Sequence, residues 1–173
     1  MYIINKGNHY ASGLHFWPHL GMEQLSYGVI FTRSCLYPQN NVDQKFDLNK
    51  LCGYTHGKIH DDSIRFAWVP SLKNNQEIEL WLYCYSFGEL TINYICNVKI
   101  DEPYELSILE NRTKIYTDYT LIVSGYEIHT IKSELRVATP IVNWGRFCWP
   151  FIGGTEPAQH KTVIMMERLY DLS

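Results

Sequence analysis

Hydrophobic and polar residues alternate with a period of two along most of the chain, in short runs separated by Gly, Asn, Asp or Pro. This is the period of a β-strand, whose side chains point alternately to opposite faces. The pattern predicts strands near residues 13–17, 26–33, 63–69, 76–87, 91–100, 104–109, 113–124, 126–131, 145–151 and 161–169. No long amphipathic helix is predicted, so the expected fold is all-β, a two-sheet antiparallel β-sandwich.

The length and the even composition indicate one domain. The chain has 173 residues, and no repeat, low-complexity stretch or linker divides it. This length is usual for a single domain, so we expect one β-sandwich domain over residues 1–173. The polar segment 37–50 is predicted to form a long loop, either a functional loop or a tolerated insertion.

Alternation divides the three central strands into a core face and an aromatic face. Pairing Glu79 with Lys99 across the hairpin of the second and third strands joins opposite charges, which favours that register. In the hairpin joined by residues 70–75, keeping both core sets on one face places Arg65 opposite Glu79 or Trp81. The predicted core face holds Ile64, Phe66, Trp68, Ile78, Leu80, Leu82, Cys84, Ile92, Tyr94, Cys96, Val98 and Ile100. The other face is predicted to carry Arg65, Trp81, Tyr83, Tyr85, Asn93, Asn97 and Lys99.

Composition makes the aromatic face a candidate for function. The chain contains 13 Tyr and 5 Trp, yet only 19% of its residues are charged. Aromatic rings stack on the apolar side of a sugar while Asn, Arg and Lys bond its hydroxyls. We therefore interpret the face as a non-catalytic carbohydrate-binding surface. The alternatives are a structural or assembly protein, such as a phage or surface component, that uses the face as an interface, and ordinary packing.

A polysaccharide-active enzyme is the third hypothesis. His60, Tyr83 and Arg65 include the base and the charge neutraliser that a lyase needs. Glu77 and Glu79 share one strand face at a Cα spacing of ~7 Å, a distance compatible with the paired carboxyl groups of a glycosidase. The sequence contains no Gly-x-Ser-x-Gly turn and no glycine-rich phosphate loop. Non-catalytic binding is the favoured interpretation, and catalysis stays open.

Histidines and cysteines are the candidate metal ligands in this sequence. His15 with His19, and His56 with His60, form two His-x3-His pairs, but neighbouring prolines and glycines disfavour the helix that would bring each pair of rings together. A loop that gathers His56, His60 and Asp61, with His160 as a further ligand, is the remaining arrangement. The five cysteines are odd in number and lack a Cys-x-x-Cys pair, which predicts free thiols. We predict no metal site and no cofactor.

Charge and hydropathy narrow the partners. The net charge is -3 and no basic run occurs, so no nucleic-acid partner is expected. The N-terminal residues lack a signal peptide's features, and no stretch approaches the ~20 apolar residues of a membrane span. We expect synthesis in the cytosol without a membrane partner, with the final location open and a virion among the options. The expected partners are a glycan, a second copy of the chain or another protein.

Two segments carry a family resemblance. The first begins Asn49-Lys50-Leu51-Cys52-Gly53-Tyr54 and continues to Trp68, and the second runs Trp-Pro-Phe-Ile-Gly-Gly-Thr-Glu-Pro-Ala-Gln-His over 149–160. With the Tyr-rich strand between them, they resemble largely uncharacterised jelly-roll proteins of gut-type bacteria and their phages, similar in fold to concanavalin-like lectins and polysaccharide lyases. The resemblance spans about residues 45–170.

The resemblance implies a β-sandwich of the jelly-roll type and brings no established activity. It places four residues near one region: Asn49, His60, Arg65 and His160. The strand motifs of alginate-type lyases are absent. The candidate ligand-binding residues are therefore Arg65, Trp81, Tyr83, Tyr85, Asn93, Asn97, His60 and His160.

Overall fold

The computed structural model describes residues 1–12, 18–38, 47–126, 130–154 and 157–169. Within these ranges the chain forms twelve strands and one short 3-10 turn, Arg33–Cys35. The strands are β1 (Tyr2–Ile4), β2 (Pro18–Leu20), β3 (Gln24–Phe31), β4 (Asn49–Thr55), β5 (Ser63–Pro70), β6 (Glu77–Ser86), β7 (Glu89–Lys99), β8 (Pro103–Arg112), β9 (Tyr116–Gly125), β10 (Ile131–Ala138), β11 (Trp144–Cys148) and β12 (Thr162–Leu169).

The strands build two antiparallel sheets of six strands. The first sheet has the order β1-β12-β3-β8-β9-β10 and the second the order β2-β11-β4-β5-β6-β7. Their inner faces pack together, and the rings of Phe31 on β3 and Trp68 on β5 meet across the layers with centroids 5.6 Å apart. The prediction of a two-sheet antiparallel β-sandwich is confirmed, while the jelly-roll subtype stays a prediction. In the described ranges, no helix is long and apolar enough to cross a membrane.

Most predicted strands correspond to observed ones within a few residues, and the missed strands have identifiable causes. Strand β4 is buried on both faces for nearly its whole length, which removes the alternation that sequence reasoning relies on. Strand β10 was expected at 126–131 but begins at Ile131 and runs to Ala138. The very short strands β1 and β2 were also missed. The predicted strand 13–17 lies outside the described residues, as does the central part of the predicted loop 37–50, whose last two residues belong to β4.

The predicted core of the central strands is confirmed for β5 and β6. On β5 the residues concerned are Ile64, Phe66 and Trp68, all fully buried. On β6 they are Ile78, Leu80, Leu82 and Cys84, which are enclosed to the same degree. Uninterrupted alternation is therefore a sound guide along these two strands.

The predicted pairing of β6 with β7 is wrong for two reasons: the turn consists of Phe87 and Gly88, with Ser86 opposite Glu89, and β7 contains a β-bulge. Lys99 lies opposite Glu77 instead of Glu79, and Leu80 pairs with Cys96 whereas Trp81 pairs with Tyr94. The extra residue is Ile95, and every β7 side chain that precedes it lies on the face opposite to the predicted one.

The bulge corrects the assignments of four residues. Ile92 and Tyr94 were expected in the core but lie on the outer face, where Tyr94 is exposed. Asn93 was expected on the aromatic face but pairs with Leu82, so its side chain points to the sandwich side of the sheet. Ile95 is buried in the core instead of facing outward.

Candidate ligand-binding site

A cavity of about 330 Å³ opens on the outer face of the second sheet, where β11, β4, β5 and β6 lie side by side. Its volume is at the lower end of the range usual for small-ligand pockets, about 300–1,000 Å³. The lining residues are Tyr10, Lys50, Ile59, His60, Arg65, Tyr83, Arg146, Phe147, Cys148, Trp149, Pro150 and Phe151.

One row of paired residues across four strands forms the base of the cavity. Cys148 on β11 pairs with Gly53 on β4, Gly53 with Arg65 on β5, and Arg65 with Tyr83 on β6. Arg65 was expected opposite Glu79 or Trp81, so its partner Tyr83 is a correction. Because Gly53 has no side chain, Arg65 lies directly against the β4 backbone.

Gly53 allows Arg65 to lie close against β4. The glycine sits at a register shift in β4 and has φ +150°. A Cβ at this position would lie 2.1 Å from the Ile64 carbonyl oxygen and 2.9 Å from the Arg65 Cγ. No side chain fits at that distance, so the close approach of the two strands requires glycine.

The outer wall of the cavity is built by the segment after β11. Phe151 forms isolated antiparallel bridges with Lys50 and with Tyr10, and the Ile152 N–H donates to the His9 carbonyl at 2.8 Å. The Tyr10 and Phe151 rings meet edge to face, with centroids 4.9 Å apart. Tyr10 remains 68% exposed, so its ring stands at the mouth of the cavity.

Arg65 is a buried cation without a hydrogen-bond partner on Nε or Nη2 in the described part of the chain. The residue is only 4% exposed, and its guanidinium carbon lies 4.8 Å from the centroid of the Tyr83 ring. Buried charged groups are ordinarily paired, since an enclosed donor without an acceptor loses its hydration and gains nothing in return. The cavity therefore has strong donors in place for an acceptor.

Two further cations line the cavity. The Lys50 Nζ lies 4.7 Å from the Tyr83 centroid, so Lys50 and Arg65 both contact the same ring. Burial, followed by the charge of Arg65, lowers the pKa of Lys50 to about 8, against the opposing effect of Asp47. Lys50 is thus largely protonated at neutral pH. Arg146 on β11 is the exposed third cation.

Acidic groups are scarce around these cations. None of the cavity's described lining residues is Asp or Glu. Asp47 acts electrostatically on Lys50 and on Tyr83, yet within the described residues it forms no ion pair with either Lys50 or Arg65. Burial, followed by the neighbouring Tyr85, raises the pKa of Tyr83, so its phenol is neutral at physiological pH. The cavity carries a net positive charge in a protein whose overall charge is negative.

The predicted site residues fall into three groups in the structure. Arg65, Tyr83 and His60 line the cavity. Tyr85 lies beside it, with its ring centroid 5.2 Å from that of His60 and 5.8 Å from that of Tyr83. Trp81 lies farther along β6 and packs edge to face against Tyr94.

The remaining predicted site residues lie away from the cavity. The Asn97 amide donates to Glu77 Oε2 at 2.7 Å and accepts from the Tyr94 hydroxyl at 2.9 Å. Asn93 faces the sandwich side of the sheet, as described above. A ring nitrogen of His160 bonds the Ser34 carbonyl at 2.7 Å. Asn97 and His160 therefore have partners within the protein, and Asn93 faces away from the cavity.

The single region implied by the family resemblance is divided into two. His60 and Arg65 share the cavity. Asn49 donates to the Tyr37 hydroxyl at 2.5 Å, and His160 lies beside the same ring, with centroids 6.4 Å apart. Tyr37 thus connects Asn49 with His160, apart from the cavity.

Part of the aromatic face is packed instead of open. Leu48, just before β4, forms a second buried cluster with Ala67, Val69 and Tyr83. Trp81 packs against the edge of this cluster. Packing thus explains part of the aromatic face, and the accessible parts are the cavity and the surface around Tyr94.

Nine lining residues were missed as site residues by sequence reasoning, among them Tyr10, Lys50, Arg146, Trp149 and Phe151. Lys50 had a readable signal, since it is a lone charge in the otherwise uncharged run from Leu48 to Tyr54. Tyr10 had none, because a long-range backbone pairing brings it to the site.

A separate polar cluster is buried between the two sheets. The Tyr54 hydroxyl donates to Glu110 Oε2 at 2.8 Å, and His56 Nε2 lies 3.0 Å from the same oxygen. His19 Nε2 bonds the Thr55 carbonyl at 2.9 Å. His56 and His60 do not share a metal site, because His56 points into the core and His60 lines the cavity.

The burial of His19 leads us to expect a loss of stability in acid. Burial lowers the pKa of His19 from its ordinary value of 6.5, against a hydrogen bond to Thr55 that raises it. The unfolded chain therefore binds a proton that the folded chain resists, so this contribution to stability is present above pH 6.5 and is lost as the pH falls below it. As the pH is lowered from about 7.5 to 5.5, we expect the melting temperature of the wild type to fall more steeply than that of His19→Gln.

The glutamine variant retains a donor for the Thr55 carbonyl and removes only the titration. His60→Gln, at an exposed position, serves as the matched control and is expected to leave the pH profile unchanged. Identical profiles for the wild type and His19→Gln would contradict the assignment.

The fold and the cavity define a β-sandwich protein with a ligand-sized, cationic and aromatic cavity on the outer face of one sheet. No family model matches the sequence. No curated protein matches it. Among solved structures, it is similar to one titled "carbohydrate binding module CBM66 from Bacillus subtilis", at 8% identity and a TM-score of 0.37, over 91% of this chain and 84% of that chain. The fold assignment stands on the two sheets themselves.

Proposed function

We propose that the protein is a non-catalytic carbohydrate-binding module that holds part of a glycan in the cavity on its second sheet. The observation that carries the proposal is the combination of an exposed ring, Tyr10, with the enclosed Arg65, whose Nε and Nη2 have no acceptor among the described residues, on one cavity. Sugars require both features, an apolar platform for one ring face and donors for the oxygens at the ring edge.

The surroundings of the cavity favour binding over catalysis. A glycosidase needs two carboxyl groups across the scissile bond, and the described lining residues include no carboxyl group. A lyase remains the relevant enzymatic alternative, with His60 as its base, since the raised pKa of Tyr83 keeps that phenol protonated. If the protein releases unsaturated uronate ends from an acidic polysaccharide and His60→Ala abolishes this release, the proposed binding module is contradicted and the protein is a lyase.

Replacing Tyr10 with alanine tests the proposal. We expect the glycan that binds best on an array of neutral, uronate-containing and sulfated glycans to bind this variant about three- to tenfold more weakly, because the stacking platform is lost. Isothermal titration calorimetry measures the change. Tyr10 is largely exposed, so folding is expected to be preserved.

The matched control is Tyr126→Ala, which removes a 95% exposed tyrosine outside the lining residues and is expected to leave affinity unchanged. Equal losses in the two variants would contradict the cavity as the binding site. Absence of binding to every glycan class would contradict the proposed function.

The assembly alternative makes the opposite prediction. Light scattering would then show a stable oligomer without glycan affinity, and Tyr94→Ala, on the exposed part of the aromatic face, would dissociate it. The setting implied by the sequence resemblance, a gut bacterium or its phage, belongs to the proposal and rests on that resemblance alone.

A further inference from the structure

We propose that the glycan carries an anionic substituent, a carboxylate or a sulfate, and that this group binds Arg65 beside Lys50 and Arg146. The inference rests on the proposed function and deepens it by naming the chemical class of the sugar. Three features of the cavity carry it.

The first feature is the unsatisfied guanidinium. Arg65 Nε and Nη2 are enclosed and have no acceptor among the described residues. Its plane presents parallel N–H donors that match the two oxygens of a carboxylate or sulfate, and such charge-assisted bonds are about twice as strong as neutral ones. A neutral sugar supplies hydroxyl acceptors but leaves the buried charge uncompensated.

The second feature is the charge of the lining. Lys50 and Arg146 add two cations to Arg65, and no described lining residue supplies a carboxylate. Lys50 and Arg65 both lie over the Tyr83 ring. An aromatic ring attracts a cation more weakly than an anion does. Burial, followed by the charge of Arg65, lowers the pKa of Lys50, so these two cations repel each other and a bound anion relieves that repulsion.

The third feature is depth. Arg65 is almost fully enclosed, whereas Tyr10 is exposed at the mouth. A sugar ring stacked on Tyr10 therefore directs a substituent inward, toward the guanidinium. This places the anionic group at the base of the cavity and the ring at its mouth.

The test follows the side-chain Nε–H resonance of Arg65 by NMR. The resonance is assigned by its absence in Arg65→Lys, and the protein is titrated separately with D-glucuronate, glucose 6-sulfate, D-glucose and inorganic sulfate. We expect a saturable shift with glucuronate or with glucose 6-sulfate, at an affinity roughly tenfold to a hundredfold above that for D-glucose. The stronger of the two acids identifies the substituent. Arg136, ion-paired with Asp118 on the other sheet, is the internal control and should not shift.

The outcomes separate this inference from the proposed function. Equal affinity for D-glucose and both sugar acids overturns the anionic substituent and leaves glycan binding intact. Equal affinity for inorganic sulfate and both sugar acids overturns the proposed function, because the sugar ring then contributes nothing. Failure of all four compounds to shift the Arg65 resonance overturns the inference, and a glycan array without any binding overturns the function as well.

Discussion

Arg65→Met is expected to be more stable than the wild type and to have lost affinity for acidic glycans. Methionine is apolar, flexible and similar in length, so it fills the same space without a buried charge. Replacing buried ionic groups by apolar ones of similar volume is often neutral or stabilising by about 1–4 kcal/mol. Because Arg65 has enclosed donors without partners, we expect a gain of about 1–2 kcal/mol in the free energy of unfolding.

Denaturant unfolding measures the gain, and calorimetry with the best acidic glycan from the array measures the loss of affinity. We expect binding to weaken roughly a hundredfold or more, because a charge-assisted pair in an enclosed site is removed. A combined gain in stability and loss of binding indicates a residue kept for function at a cost to the fold.

The matched control for this substitution is Arg136→Met. The Arg136 guanidinium bonds both carboxylate oxygens of Asp118 at an exposed position, so its loss should not raise stability and should not affect the glycan. A clear fall in the stability of Arg65→Met would contradict the prediction. It would mean that the contact of Arg65 with Tyr83 outweighs the cost of the unpartnered donors.

Of the substitutions proposed for this protein, Gly53→Ala is expected to have the largest effect on stability. Its Cβ would stand 2.1 Å from the Ile64 carbonyl oxygen and 2.7 Å from the Arg65 Cα, and both are backbone atoms that cannot rotate away. The positive φ adds conformational strain for any L side chain. Strands β4 and β5 must therefore separate, and we expect unfolding to become easier by about 3–5 kcal/mol.

Thermal and denaturant unfolding test this expectation, and a melting temperature lower by roughly 6–20 °C corresponds to it. Gly88→Ala is the matched control. Gly88 also has a positive φ, +83°, but no atom lies within 4 Å of its added Cβ, so only strain of about 1 kcal/mol is expected. Equal losses in the two variants would show that backbone strain, and not the contact with Arg65, explains the need for glycine.

Much of the core could be predicted because its signal is local. The alternation along β5 and β6 depends only on neighbouring residues, and it assigned Arg65 and Tyr83 to the face opposite Phe66 and Leu82. The same reasoning was wrong for the part of β7 that precedes Ile95, because one bulged residue reverses every side chain between it and the β6–β7 turn and leaves no mark in the alternation itself.

The cavity could be predicted only in part, because its walls come from distant segments. Tyr10 reaches the site through a bridge to Phe151, and Leu48 covers the neighbouring part of the face. Pairings over such sequence distances depend on how the sheets close, so neither a motif nor a period announces them.

The sequence by itself determined a two-sheet antiparallel β-sandwich and a sheet face on which Arg65 and Tyr83 lie together, because both follow from side-chain alternation. The tertiary structure decided which part of that face is open. It closed the region around Leu48, divided the predicted residues between core, surface and cavity, and added Lys50, Arg146 and Tyr10 around Arg65. The physical reason is that accessibility and charge surroundings depend on which segments pack over the face, and those contacts are long-range.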